Sequence, residues 1–164
     1  FLPRLRNLFA VRMRLGHFDA PGPLSRIGTD VICSDDSIEL ARDGTRQGTV
    51  LLKNNNTVLP LDPSRVTSAL VVGPTFNLSY ATATYYAGSP CGGKYWNLAD
   101  GVADHLGRWR VTGLQGLPSV TSNDTSHIAQ AIDYVKYNDA VILALGQDTS
   151  IESEGRDRYS IAIM

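Results

Sequence analysis

The densest group of ionisable side chains in the sequence follows one apolar run. Asp148, Glu152, Glu154, Arg156, Asp157 and Arg158 crowd into the stretch after Gly146, five of them within seven residues. A carboxyl in such a loop can transfer protons, with arginines beside it to order it and bias its charge state. A solvated connection would carry the same residue types, and composition alone does not choose between the two. The preceding run, Ala140 to Leu145, is continuous and apolar, and it does not alternate. It therefore predicts a strand covered on both faces, as in a parallel sheet flanked by helices. Open α/β sheets place their ligands at the carboxyl ends of such strands, which is where this loop begins.

Other chemistry is excluded or left without support. With 15 basic and 16 acidic side chains, nothing favours nucleic acid or an anionic membrane surface as a partner. No apolar run approaches the ~20 residues of a membrane-spanning helix, and residues 1–15 hold too many arginines for a signal-peptide core. Cys33 and Cys91 are too few to define a disulfide framework and lack metal-site spacing. His17, His105 and His127 sit apart from other metal-type ligands and read as packing or surface residues. No metal or cofactor is expected. Gly73 stands alone, without the other glycines of a dinucleotide loop, and Pro74 removes an N–H that a phosphate would need. Asn77-Leu-Ser79 and Asn123-Asp-Thr125 are glycosylation sequons, relevant if the chain enters the secretory pathway.

The elements that position the loop can be read in order. Residues 2–15 place Leu5, Leu8, Phe9 and Met13 on one helical face, with Gly16 as the stop. The stretch 20–33, rich in proline and glycine at its start, reads as a linker. Asp36 and Glu39 suggest a capping box for a helix carrying Ile38, Ala41, Thr45 and Gly48. Residues 68–74 form a short buried strand ending in a Gly-Pro turn. Asn97 caps a helix with Leu98, Val102 and Leu106, Trp109–Thr112 is a second strand, and Ile128, Ala131, Ile132 and Val135 form the apolar face of a helix that leads to the strand at Ala140. Helices alternating with short buried strands predict an α/β fold, a three-layer α/β/α sandwich around a mainly parallel sheet. At 164 residues the chain can build one ordinary core but not two.

Several of these stretches together resemble glycoside hydrolase family 3, in particular its plant β-xylosidase and α-L-arabinofuranosidase branch. The longest match runs through Leu40, Ala41, Arg46, Gln47, Gly48, Val50, Leu51, Leu52, Lys53 and Asn54 and continues in Leu59-Pro60-Leu61. Gly146, Asp148, Glu152, Glu154, Asp157 and Arg158 are in register with the family's strand-end loop, Gly-x-Asp followed by Glu-x-Glu-x-x-Asp-Arg. Arg14, Gly16, Phe18 and Asp19 match the end of the last helix of its (β/α)8 barrel. Tyr85, Tyr86, Gly88, Pro90 and Cys91 approximate a loop near the active-site mouth, although Thr84 and Ala87 depart from that pattern. Gly113-Leu114-Gln115-Gly116 stands where the family has Gly-Cys, so the resemblance assigns no disulfide to Cys91.

The resemblance implies residues 1–19 as the closing helix of a barrel domain, 20–33 as a linker, and 34–164 as the first part of a C-terminal sandwich domain. It implies a fragment of an exo-acting retaining glycosidase, extracellular or in the cell wall. Its partners would be a xylo- or arabino-oligosaccharide and the barrel domain of the same polypeptide, which supplies the nucleophile. Glu152 would be the general acid/base, with Glu154 as the alternative. One carboxyl is expected to face the substrate and the other to pair with an arginine. Arg158, Tyr85 and Tyr86 would contact sugar, although adjacent tyrosines are more often a strand-end packing pair. Ser34-Asp35 imitates the family's nucleophile pair but lacks a preceding strand, so helix capping is the reading adopted. A different class remains open: a non-catalytic α/β module that binds carbohydrate or nothing, favoured if the loop after Gly146 has no structure.

Overall fold

A computed structural model describes residues 1–80, 86 and 89–160 of the chain. It contains α1 (Leu2–Arg14), α2 (Asp35–Gly48), β1 (Ala69–Val72), α3 (Leu98–Leu106), β2 (Val111–Leu114), α4 (Ile128–Val135) and β3 (Ala140–Leu143), joined by short 3₁₀ turns. The chain divides into two compact units, Phe1–Leu51 and Leu52–Met164.

The first unit is two helices and their connection. In α1 the predicted apolar positions Leu5, Leu8, Phe9 and Met13 are all at least one-third exposed, and the helix ends at Gly16, whose φ of +73° is the left-handed conformation that glycine adopts without strain. The start of α2 differs from the predicted capping box. Ser34 is the N-cap, its hydroxyl accepting from the Ser37 N–H at 3.3 Å, while Ser37 Oγ donates to the Val31 carbonyl at 3.0 Å. Glu39 instead pairs with Arg42 at 2.9 Å and Arg46 at 2.8 Å along the exposed surface of the helix. Three cap-competent residues stand in succession here, and the serine pair that also reaches back to Val31 fixes which one starts the helix.

The second unit holds the sheet, whose order is β2-β1-β3 with both pairings parallel. The expected α/β class and parallel sheet are present. β1 is central and every residue in it is buried; full burial of side chains such as Leu70 and Val71 stabilises by about 1.5–3 kcal/mol each. α3 packs against β2 and α4 against β1. Asn97 caps α3 as predicted, its Oδ1 accepting from the Asp100 N–H at 2.8 Å. β2 begins two residues later than predicted: Gly107, at φ +106°, opens a 3₁₀ turn over Arg108–Arg110 that leaves Trp109 fully exposed. The Arg110 side chain is drawn to the Pro63 carbonyl at 2.6 Å, which holds that turn in place.

β3 is not covered on both faces. Ala140 and Ile142 are half-buried, whereas Val141 and Leu143 are exposed. It is an edge strand among the described residues, with β1 on one side only, so its apolar composition exceeds the cover found here. Its start is pinned to the start of β1 by Asp139. Oδ2 of that residue accepts from Thr67 N–H at 2.8 Å, Thr67 Oγ1 at 2.7 Å and Ser68 N–H at 3.1 Å. These bonds to Thr67, followed by the Ser68 N–H, hold the Asp139 carboxyl below its ordinary value of 3.8.

Candidate active site

The carboxyl ends of β1 and β3 meet at one backbone seam, and the seam sets the origin of the acidic loop. Gly73 continues β1 by donating to the Leu114 carbonyl at 3.0 Å. Its φ is +138°, and a Cβ there would stand 2.2 Å from the carbonyl oxygen of Ala144. Only glycine permits the two strands to approach so closely. Thr75 completes the join by donating from its hydroxyl to the Ala144 carbonyl at 2.9 Å. Gly146 and the loop therefore leave a fixed strand end.

The loop itself is folded, which removes the condition that would have favoured a non-catalytic module. Asp148 Oδ1 accepts from the Ser150 N–H at 2.9 Å and the Ser150 hydroxyl at 2.5 Å, an Asx turn that opens the loop. The Asp148 carbonyl then accepts from the N–H groups of Ile151 and Glu152. Ser153 and Arg156 exchange two backbone hydrogen bonds of 3.0 and 2.9 Å around the Glu154-Gly155 turn, with Gly155 at φ +73°. The Arg156 guanidinium donates back to the Ser150 carbonyl at 2.8 Å.

Of the residues singled out in the sequence, this loop brings Glu152 and Arg158 together. Glu152 Oε2 lies 3.1 Å from Arg158 Nε, with the Glu152 side chain 52% and the Arg158 side chain 35% exposed. Glu154 sits at the turn beyond them, exposed. Glu152, the glutamate expected to face the substrate, is thus itself paired with an arginine. A pair this exposed is worth about 0–1 kcal/mol, so it orders the side chains without committing Glu152 to one role. Arg156, Asp157 and Arg158, with Ile151 and Gln147, border a concavity of about 390 Å³. Tyr85 falls outside the described residues, and Tyr86 is exposed. Asn77 and Asn123 are exposed and lie outside helices and strands.

Two further residues near the strand ends were missed in the sequence. Gln147 and Trp96 border a second concavity, of about 320 Å³, with Thr75 and Gly146. The available signal for Trp96 was its place immediately before the Asn97 cap, in a connection arriving at a helix start. A larger concavity of about 870 Å³ opens beside Asp139 and Ala140, at the amino end of β3. It lies at the wrong end of a parallel sheet for ligand chemistry. No cluster of metal-type ligands occurs among the described residues. Neither cysteine is a free thiol; both Cys33 and Cys91 are disulfide-bonded.

Comparison with known proteins gives a consistent result. Beta-D-xylosidase 3 of Arabidopsis thaliana is 39% identical over 160 residues, covering 96% of this chain and 20% of that protein. Beta-xylosidase/alpha-L-arabinofuranosidase 1 of Medicago sativa subsp. varia is 34% identical over 160 residues, with 96% and 20% coverage. The solved structure of a GH3 exo-beta-xylosidase, XlnD, in complex with a xylobiose aziridine activity based probe, matches with a TM-score of 0.80 at 31% identity. That match covers 95% of this chain and 20% of that one. The chain thus spans about a fifth of the length of these relatives. Residues 49–164 match the glycosyl hydrolase family 3 C-terminal domain. On that match, together with the parallel sheet and the relatives' identity across nearly all of its length, the chain belongs to glycoside hydrolase family 3.

Proposed function

We propose that this chain carries the general acid/base loop of an exo-acting retaining glycosidase that removes β-xylosyl or α-arabinofuranosyl residues from plant cell-wall polysaccharides. The observation that supports the reading is the folded loop at the strand-end seam, closed by the Arg156 guanidinium on the Ser150 carbonyl. In this reading residues 1–19 close a barrel domain, 20–33 form a linker, and the nucleophile comes from the barrel of the same polypeptide.

Retaining glycosidases use two carboxyls about 5–5.5 Å apart across the scissile bond. One attacks the anomeric carbon while the other, protonated, gives its proton to the departing oxygen as the C–O bond breaks. The second carboxyl, now ionised, takes a proton from the water that opens the glycosyl-enzyme. Glu152 fills this second role and must leave its pair with Arg158 to carry the proton; Glu154 is the alternative donor. Arg158, Tyr85 and Tyr86 contribute sugar contacts. Because half of a carboxyl pair gives no turnover, the 164-residue chain alone cleaves neither aryl β-xylosides nor aryl α-arabinofuranosides. Extracellular placement fits two exposed sequons and two oxidised cysteines.

The test uses a full-length family member bearing this loop, with Glu152→Ala and Glu154→Ala assayed on xylosides of graded leaving-group basicity. Loss of the acid lowers rates on basic leaving groups by about 10²–10⁴-fold and on activated ones far less. That pattern is expected for Glu152→Ala. Its appearance in Glu154→Ala alone would move the assignment to Glu154, and its absence from both would remove the loop from the chemistry.

A further inference from the structure

We propose that Asn55 is an N-glycosylation site, a further acceptor beside the sequons at Asn77 and Asn123. Asn55-Asn56-Thr57 has the acceptor pattern, an asparagine, any residue but proline, then a threonine. The proposal rests on the extracellular placement given above and not on the acid/base assignment. Glycosylation and disulfide formation share the secretory route, and the oxidised state of Cys33 and Cys91 fits it.

Three asparagines stand in succession here, and the structure gives each a different task. Asn54 is half-buried and closes the turn: its Nδ2 donates to the Leu59 carbonyl at 2.8 Å and its Oδ1 accepts from the Leu59 N–H at 3.0 Å. Its amide is committed to the backbone. Asn56 takes a left-handed conformation, φ +56°, which asparagine tolerates better than most side chains. Asn55 has neither duty. It is exposed at the start of the 3₁₀ turn Asn55–Thr57, and its side chain bonds to none of the described residues. Thr57 is exposed as well, its hydroxyl donating to the Asn56 carbonyl at 2.7 Å. The acceptor pattern and the geometry thus select the same asparagine independently. The surroundings also have room. Asn56 and Thr57 border the open concavity of about 870 Å³ at the amino end of β3. The acidic loop follows the carboxyl end of that strand, so a glycan starting at Asn55 leaves it clear. Asn77, by contrast, follows the Gly73 seam at the carboxyl end of β1.

The test directs the 164-residue chain into microsomes with a cleavable secretion leader during cell-free translation, so the readout does not depend on where the natural protein resides. Protection from added protease identifies the translocated chains. Their glycans are counted as steps in gel mobility that peptide N-glycosidase removes. Asn55→Gln should lose one step, as should Thr57→Ala, whereas Thr57→Ser and Asn54→Gln should keep it. Release of the glycans in heavy-oxygen water, followed by peptide mass spectrometry, should find position 55 converted to labelled aspartate. Translocated chains whose mobility is unchanged by Asn55→Gln, or an unlabelled position 55, overturn the proposal. The modification is added to the chain before it folds, so a variant that folds poorly still reports. Entry into the microsome is imposed and no turnover is read, so failure here is separate from failure of the extracellular placement or of the acid/base assignment.

Discussion

The two units of this chain are held by different kinds of contact. In residues 1–51, side-chain hydrogen bonds and ion pairs join near neighbours, such as Glu39 with Arg42 and Arg46, or Ser34 with Ser37, and no residue is buried. In residues 52–164, Ala69–Val72, Leu106, Val120 and Ala144 form a buried core, and Asp139 bonds residues some seventy positions away. Local contacts set helix ends but add little cooperativity, whereas bonds across seventy residues exist only when the sheet does. The acidic loop grows from the second kind of region, at a seam that a single added carbon would break. A proton donor needs that fixed origin, since its carboxyl must meet a substrate oxygen at hydrogen-bond distance.

The comparison can be broken most sharply at Gly73. Gly73→Ala drives a methyl into the Ala144 carbonyl, and the loss expected exceeds about 4 kcal/mol, beyond the range of ordinary substitutions. Urea denaturation followed by circular dichroism would measure it; a cost under about 1 kcal/mol would show that the strands can separate without harm. A smaller effect belongs to Asp139. Its carboxyl titrates below 3.8 when folded, so its contribution is complete above that value and is lost as pH falls through the lower, folded value. Asp139→Asn should lower the thermal midpoint at pH 6 and flatten its decline below pH 4, whereas an unchanged acid limb would separate this residue from the sheet's stability. The smallest effect is expected in the first unit. Glu39→Gln removes two exposed ion pairs and should leave the thermal midpoint of the sheet unit in place.

These contrasts also explain what the sequence disclosed. β1, α1, α3 and the parallel sheet were legible because apolar runs and helical spacing report burial and period directly. The loop's residue types were legible too, through the Glu-x-Glu-x-x-Asp-Arg spacing. The Ser34 cap was misplaced because Ser34, Asp35 and Asp36 are all competent, and the choice depends on a bond from Ser37 to Val31. The β3 run promised two covered faces because composition reports what a strand can bury, while cover depends on neighbouring elements. Gly73 was noticed only for what it could not bind; its closeness to Ala144 is a backbone distance with no side-chain signature. The pairing of Glu152 with Arg158 was equally hidden, because it depends on the Glu154-Gly155 turn folding Arg156–Arg158 back beside Ser150–Glu152.

The most direct test of the central claim, that this loop supplies the acid/base, is azide rescue in a full-length family member bearing it. In Glu152→Ala, an activated aryl xyloside still loads the nucleophile, but no base remains to deprotonate water. Azide, which attacks the glycosyl-enzyme without losing a proton, should raise kcat and yield β-xylosyl azide with retained configuration. Faster turnover with that product in Glu152→Ala, and none in Glu154→Ala, is the result the account predicts. Rescue confined to Glu154→Ala, or an absence of azide product from both variants, would contradict it.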